Sequence, residues 1–196
     1  RAFLVQKNSD FPSMQRLLEK AKSPFQILDM TSTPLEWHLG QSYYYQGNHQ
    51  QAFIHYEKAA EQNPYHMQVL NDLGALYEEK GDHVKAIEYF NRVFKINPDF
   101  PDTKMNMVAV YFNTGEIDKA FDLLKNHYYK YSKKWHENMN IVLMAKAEKF
   151  VQATQDTALA ELLNKRIQVN PNYLKSVYSD AEKDSVTFEE KLRELH

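Results

Sequence analysis

The chain contains no cysteine. That excludes disulfides, thiol nucleophiles and cysteine-bound zinc, and it leaves the redox compartment open. Glycine is scarce too, with five in 196 residues, so little is left for a phosphate-cradling loop. Charge of one sign is also lacking. With 24 Lys and Arg against 26 Asp and Glu, the formal net charge is -2. No bulk field therefore draws nucleic acid or an anionic membrane. No apolar run approaches the ~18–20 residues that cross a bilayer, so membrane insertion of this chain is not expected. No signal peptide is visible, and a chain opening at Arg1 without Met reads as a piece of a longer protein. What is present suffices for one domain or one continuous array: 43% of the residues are hydrophobic and 26% charged.

The five glycines are not scattered. Gly40, Gly47 and Ala52 return 34 positions later as Gly74, Gly81 and Ala86. A further 34 positions on stand Gly115 and Ala120, with Val108 replacing the first glycine. The same register aligns Leu39, Leu73 and Met107; Tyr43, Tyr77 and Tyr111; Tyr56, Phe90 and Leu124; then Pro64, Pro98 and Ser132. A glycine inside a helix costs about 1 kcal/mol against alanine, so Gly40 and Gly74 imply close approach of a second helix, with Ala52, Ala86 and Ala120 across the contact. Gly47, Gly81 and Gly115 mark left-handed turns, and the prolines stop the second helices. Thr33-Pro34-Leu35-Glu36 reads as a capping box at the start of the first helix.

These markers resemble the tetratricopeptide repeat, with its 34-residue period and its Leu-Gly, Tyr, Ala, Phe and Pro skeleton. The resemblance implies an all-α fold, a right-handed superhelix of helix-turn-helix repeats whose stacked neighbours make the core. The expected organisation is a divergent helix pair over 1–32, closing with Met14, Leu17 and Leu18. Three clear repeats follow at 33–66, 67–100 and 101–134, then a degenerate fourth over 135–174 without a turn glycine. A C-terminal capping segment over 175–196 ends the chain, with Thr187-Phe188-Glu189-Glu190 starting a last amphipathic helix through Leu192 and Leu195.

Chemistry finds little to stand on. All five glycines are used by the repeat skeleton, so neither a dinucleotide fingerprint nor a nucleophile elbow can be built. His49 and His83 share a repeat position after the turn and read as solvated. His38, His55 and His66 lack a ligand at metal-site spacing, and His136-Glu137 point apart on a helix. Glu78 and Glu79 are adjacent and so do not face each other as a catalytic pair would. The stretch 125–138, KNHYYKYSKKWHEN, could stack bases and contact phosphates. The alternative places it on the second helix of repeat three, burying its aromatics, and the weakly acidic chain favours that reading. No catalytic residue, cofactor, metal or nucleic acid is expected.

In the family the first helix of each pair lines a concave face where partners bind. Carried over by position, the binding strip is Trp37, Gln41, Tyr44 and Tyr45, then Asn71, Glu78 and Glu79, then Met105, Phe112 and Asn113. One subfamily clamps a peptide's terminal carboxylates with Lys, Arg and Asn at such positions. Trp37, Gln41, Ala75, Met105 and Ala109 replace most of that set, so no carboxylate clamp is expected. The strip suits a protein or peptide segment bearing apolar and basic side chains. Alternatively Trp37, Tyr44 or Phe112 packs against the chain's own ends.

A narrower resemblance rests on ILDMTSTPLEWHLG (27–40), NPYHMQVLNDLGALYEEKGDH (63–83) and FPDTKMNMVAVYFNTGE (100–116). Together these are similar to the C-terminal repeat region of Bacteroidetes-type membrane proteins of the O-antigen ligase/polymerase family. The resemblance implies a non-catalytic interaction scaffold tethered to a bacterial envelope enzyme, whose chemistry lies in the membrane part. A free-standing cytoplasmic scaffold or regulator is the alternative. Self-association is open in both.

Overall fold

The computed structural model describes residues 10–21, 32–126 and 132–195. Among these residues the protein is built of eleven helices. They are α1 (Phe11–Ala21), α2 (Leu35–Tyr45), α3 (His49–Gln62), α4 (Met67–Glu79), α5 (His83–Ile96) and α6 (Pro101–Asn113). After them come α7 (Ile117–Lys125), α8 (Lys133–Thr154), α9 (Thr157–Val169), α10 (Tyr173–Asp184) and α11 (Phe188–Arg193). The fold class is all-α, made of antiparallel helix pairs. The chain divides into two compact units, 1–106 and 107–196, with the division falling inside α6.

Each hairpin turn in the first three pairs is the same hydrogen-bonded device. Gly47, Gly81 and Gly115 have φ of 76, 77 and 78°. The glycine N–H donates back to the carbonyl of Tyr44, Glu78 or Phe112, and the next N–H reaches Tyr43, Tyr77 or Tyr111. This is a Schellman closure, which satisfies carbonyls that the helix end leaves open. The residue after the glycine begins the second helix. Asn48 and Asp82 accept from the backbone N–H of Gln51 and Lys85, whereas Glu116 makes no side-chain cap. The fourth turn has no glycine and still forms: Gln155 takes φ 55°, and Asp156 caps α9 by accepting from Leu159.

The turn between pairs is equally regular. Asn63, Asn97 and Asn170 end α3, α5 and α9, and each side-chain oxygen accepts the N–H two residues on. Each backbone carbonyl accepts from the third residue on. The proline that follows each Asn is therefore half of an Asn-Pro turn, and the asparagine is a repeat marker that proline-based alignment overlooks.

Unit 1 closes around Ala52, Tyr56, Ala59, Val69, Leu73 and Leu76, with Trp37, Tyr43 and Phe53 packed against them. The helical glycines make this possible, with one correction to the sequence reading. A Cβ on Gly40 would lie 2.3 Å from the Tyr56 ring, and one on Gly74 2.4 Å from the Phe90 ring. The close approach is by the aromatic ring of the second helix, not by its alanine. Repeat three changes both members, with Val108 for glycine and Leu124 for the ring, and both are buried.

The Thr33 capping box does not form. Pro34 is the N-cap of α2 without a side-chain bond; Thr33 Oγ1 lies 3.2 Å from His66 Nε2, and Glu36 Oε2 lies 2.6 Å from His55 Nδ1. Both side chains face histidines further along the chain, His66 at the N-cap of α4 and His55 on α3. At the N-terminal side, Asp10-Phe11-Pro12 starts a helix: Asp10 accepts from Ser13, and Met14 and Leu18 pack on Leu39. Any earlier helix of that pair lies outside the described residues.

In unit 2 the core includes Trp135, Met139, Leu143, Leu159, Leu163, Leu174 and Phe188. The stretch 125–138 is not one helix. α7 ends at Lys125, and Ser132 caps α8 by accepting from Trp135, while 127–131 lie outside the described residues. Trp135 is buried, its indole N–H donating to the Leu124 carbonyl at 2.8 Å. It is a core residue and offers no stacking surface. The segment 175–196 holds two helices, the end of α10 and all of α11. Thr187 and Glu190 form a reciprocal capping box at the latter's start.

Candidate functional site

The expected binding strip divides between the units. In unit 1 its residues sit on α2, α4 and the first turns of α6, and most are already engaged. Trp37 Nε1–H donates to Asp72 Oδ2 at 2.8 Å, and Tyr44 Oη–H donates to Glu79 Oε1 at 2.7 Å. Asn71, buried, accepts from Asn106 Nδ2 at 3.0 Å and from Thr103 Oγ1 at 2.8 Å. Three of these bonds, 37 to 72, 44 to 79 and 71 to 106, join residues one repeat period plus one apart. First helices of successive pairs are thus stitched together along the strip. A donor and an acceptor recurring at that interval was the signal that sequence reading passed over.

Glu78 and Glu79 diverge, as adjacent helical residues must. Glu78 Oε2 lies 2.7 Å from His83 Nδ1, and Glu79 Oε2 lies 2.9 Å from His49 Nδ1. The two turn histidines are therefore partnered, yet His49 stays exposed and His83 partly so, which agrees with their reading as solvated turn residues. His55 is another, half-buried against Glu36 and stacked 5.0 Å from the Tyr43 ring. Met105 is buried.

What remains open in unit 1 is a hollow of about 190 Å³. Gln41, Tyr44 and Tyr45 of α2 form one wall; Gln68, Asp72 and Ala75 of α4 form another, and Asn106 closes an end. Tyr45 is 59% exposed, and its ring is held 4.8 Å from that of Phe11 in a stacked pair. Asp72 is the electrostatic centre. Its three hydrogen-bond donors, Trp37, Gln68 and Asn71, are all neutral. Burial pushes its carboxyl above the ordinary carboxylate range, against the pull of those donors, and Asp102 adds to the rise. At the rim the hydrogen bond to Glu79, with burial, pushes the Tyr44 hydroxyl up to about 12.

Phe112 and Asn113 belong to unit 2. With Val108, Ala109, Asn138, Ile141 and Val142 they line a mostly apolar hollow of about 180 Å³. Among the described residues no three His, Asp or Glu side chains converge as a metal site requires, and no helix is long and apolar enough to cross a membrane.

Two family profiles described as tetratricopeptide repeat match residues 31–99 and 78–126. Residues 31–126 carry tetratricopeptide repeats. Neither match is to a catalytic family. Comparison with curated proteins yields no match. Among solved structures, a tetratricopeptide repeat protein from Parabacteroides merdae is similar at TM-score 0.64 and 18% identity, covering 92% of this chain and 68% of that one. MamA from Desulfovibrio magneticus matches at 0.64 and 14%, covering 84% and 92%. The Cut9-Hcn1 hetero-tetramer matches at 0.64 and 16%, covering 92% of this chain and 34% of that one. At these identities the likeness concerns the repeat fold alone.

Proposed function

We propose that this repeat chain is a non-catalytic binding module that takes a protein or peptide segment along its first helices. The observation that carries the proposal is the unit 1 hollow, where the rings of Tyr44 and Tyr45 line a space beside the Asp72 carboxylate, whose hydrogen-bond donors among the described residues are all neutral. Interfaces concentrate their energy in such half-buried aromatic sites. The Cut9-Hcn1 neighbour is a hetero-tetramer, which accords with a repeat chain that assembles with other chains. Self-association belongs to the same proposal. The test is affinity capture with the chain as bait, followed by cross-linking of the captured protein. Cross-links on α2 and α4, with capture reduced at least tenfold by Gln41→Ala with Tyr45→Ala, are expected. A partner held only by the second helices α3 and α5 would overturn the reading.

The parent proposed for the module is a membrane protein of the O-antigen ligase/polymerase kind, on the resemblance of 27–40, 63–83 and 100–116. Ten or more apolar spans in the sequence preceding Arg1 would support that parent, and their absence would favour the free-standing scaffold. Turnover of a sugar nucleotide or lipid-linked glycan by this chain alone would overturn the non-catalytic assignment.

A further inference from the structure

The hollow in unit 1 has a chemical preference that the general binding role leaves open. Its floor carries Asp72, whose oxygens already hold one indole and two amide donors, none of them charged. A carboxylate withdrawn from water and given only neutral donors keeps an uncompensated charge, and the gap is filled most favourably by a cation. The other acids around it deepen the deficit. Asp102 on α6 and Glu79 on α4 both raise the proton affinity of groups lining the space. His49 of α3, stacked 4.9 Å from the Tyr44 ring, is taken up by Glu79. The walls are the rings of Tyr44 and Tyr45, set edge to face with centroids 5.8 Å apart, and Tyr45 is largely exposed. A ring face beside a carboxylate suits a flat, weakly hydrated cation better than a neutral amide or an anion.

We propose that this hollow receives one basic side chain of the partner segment, a guanidinium in preference to an ammonium. The planar group lies against the tyrosine wall and donates to Asp72, while the amides of Gln41 and Asn106 border its stem. This rests on the protein-binding reading and names the anchor that the reading lacks. It accords with the sequence expectation that the strip has no carboxylate clamp, since Asp72 would favour the opposite charge.

The test uses the full chain and two eight-residue Gly/Ser peptides, one with a central arginine and the other with citrulline, its neutral isostere. The chain holds two tryptophans, so two indole N–H resonances serve as reporters. Trp37 is bonded to Asp72, and Trp135 is buried in unit 2 as an internal control. The arginine peptide is expected to move the Trp37 resonance and leave that of Trp135 in place, with the citrulline peptide at least tenfold weaker. Asp72→Asn and Tyr45→Ala, read by calorimetry, are each expected to weaken the arginine peptide at least fivefold. Equal binding of the citrulline peptide, or full binding by Asp72→Asn, overturns the inference. A lack of response to both peptides overturns it too. In each of those cases, cross-linked capture on α2 and α4 would still uphold the protein-binding role, so the two proposals fail separately.

Discussion

Two aspartates show how a single carboxylate works in opposite directions in the two units. Asp118 accepts from Lys146 at 2.6 Å and Lys149 at 2.9 Å, and those bonds hold its carboxyl down at about 2. A depressed value contributes stability above the ordinary carboxylate range, and that contribution is lost as pH falls through about 4 towards 2. Asp72 is raised by burial, so the sign reverses: its contribution is present below the ordinary range and is lost as pH rises through the raised value. Carboxyl-carbon titration by NMR should therefore find Asp72 protonating before Asp118 on lowering the pH; the reverse order would contradict both assignments. Asp72→Asn has one acceptor oxygen where Trp37 bonds Oδ2 and Gln68 and Asn71 bond Oδ1, so its amide must face a donor. Neutral-pH stability should fall by ~1–3 kcal/mol; unchanged stability would show that removing the buried charge offsets the lost acceptor. Gln155 supplies another residue-scale check. A non-glycine residue in the left-handed region costs roughly 1–2 kcal/mol, so Gln155→Gly should raise the melting temperature, and an unchanged value would show the strain is relieved elsewhere.

At the scale of elements, the paired helices depend on a small position meeting a ring. A methyl group on Gly74 would come within 2.4 Å of the buried Phe90 ring. Gly74→Ala gains about 1 kcal/mol in helix propensity but overpacks by ~1–3 kcal/mol, so denaturant unfolding should show net loss. Phe90→Leu added to it should recover part of that loss, because repeat three already carries the combination of a larger first-helix residue and leucine, Val108 with Leu124. A further loss in the double variant would show that the two positions do not compensate. The last helix has its own tie. Lys146 of α8 is buried between Asp118 of α7 and Glu189 of α11, 2.6 Å from each, and sits 5.0 Å from the Phe121 ring. Burial alone would lower its proton affinity, and the two carboxylates outweigh it, so the ammonium is retained. Lys146→Met should speed hydrogen exchange in α11 at least tenfold while leaving α2–α5 unchanged; uniform protection would assign the tie no holding role.

For the whole molecule, repeat arrays derive stability from each unit and its nearest neighbours, so damage stays local. Ala86 is fully buried on α5. Ala86→Leu should destabilise by ~1–3 kcal/mol, with protection lost across α3–α5 before α8–α10. Simultaneous loss everywhere would show one cooperative block, which the division into two compact units does not anticipate.

The sequence by itself determined the period, the turns and the helix class. Those follow from φ at glycine, proline's missing donor and the 3.6-residue spacing of apolar positions, all local properties. It also put the proposed binding strip on the first helices, but only the tertiary structure decided which of those residues are spent. Trp37, Tyr44 and Asn71 are taken by partners a period or so away, and no local preference encodes such a bond. The same holds for Thr33 and Glu36: their spacing fits a capping box, yet His66 and His55 from other helices claim them. A side chain's partner is settled by which groups the fold withdraws from water together, and that is known only once the helices are in place.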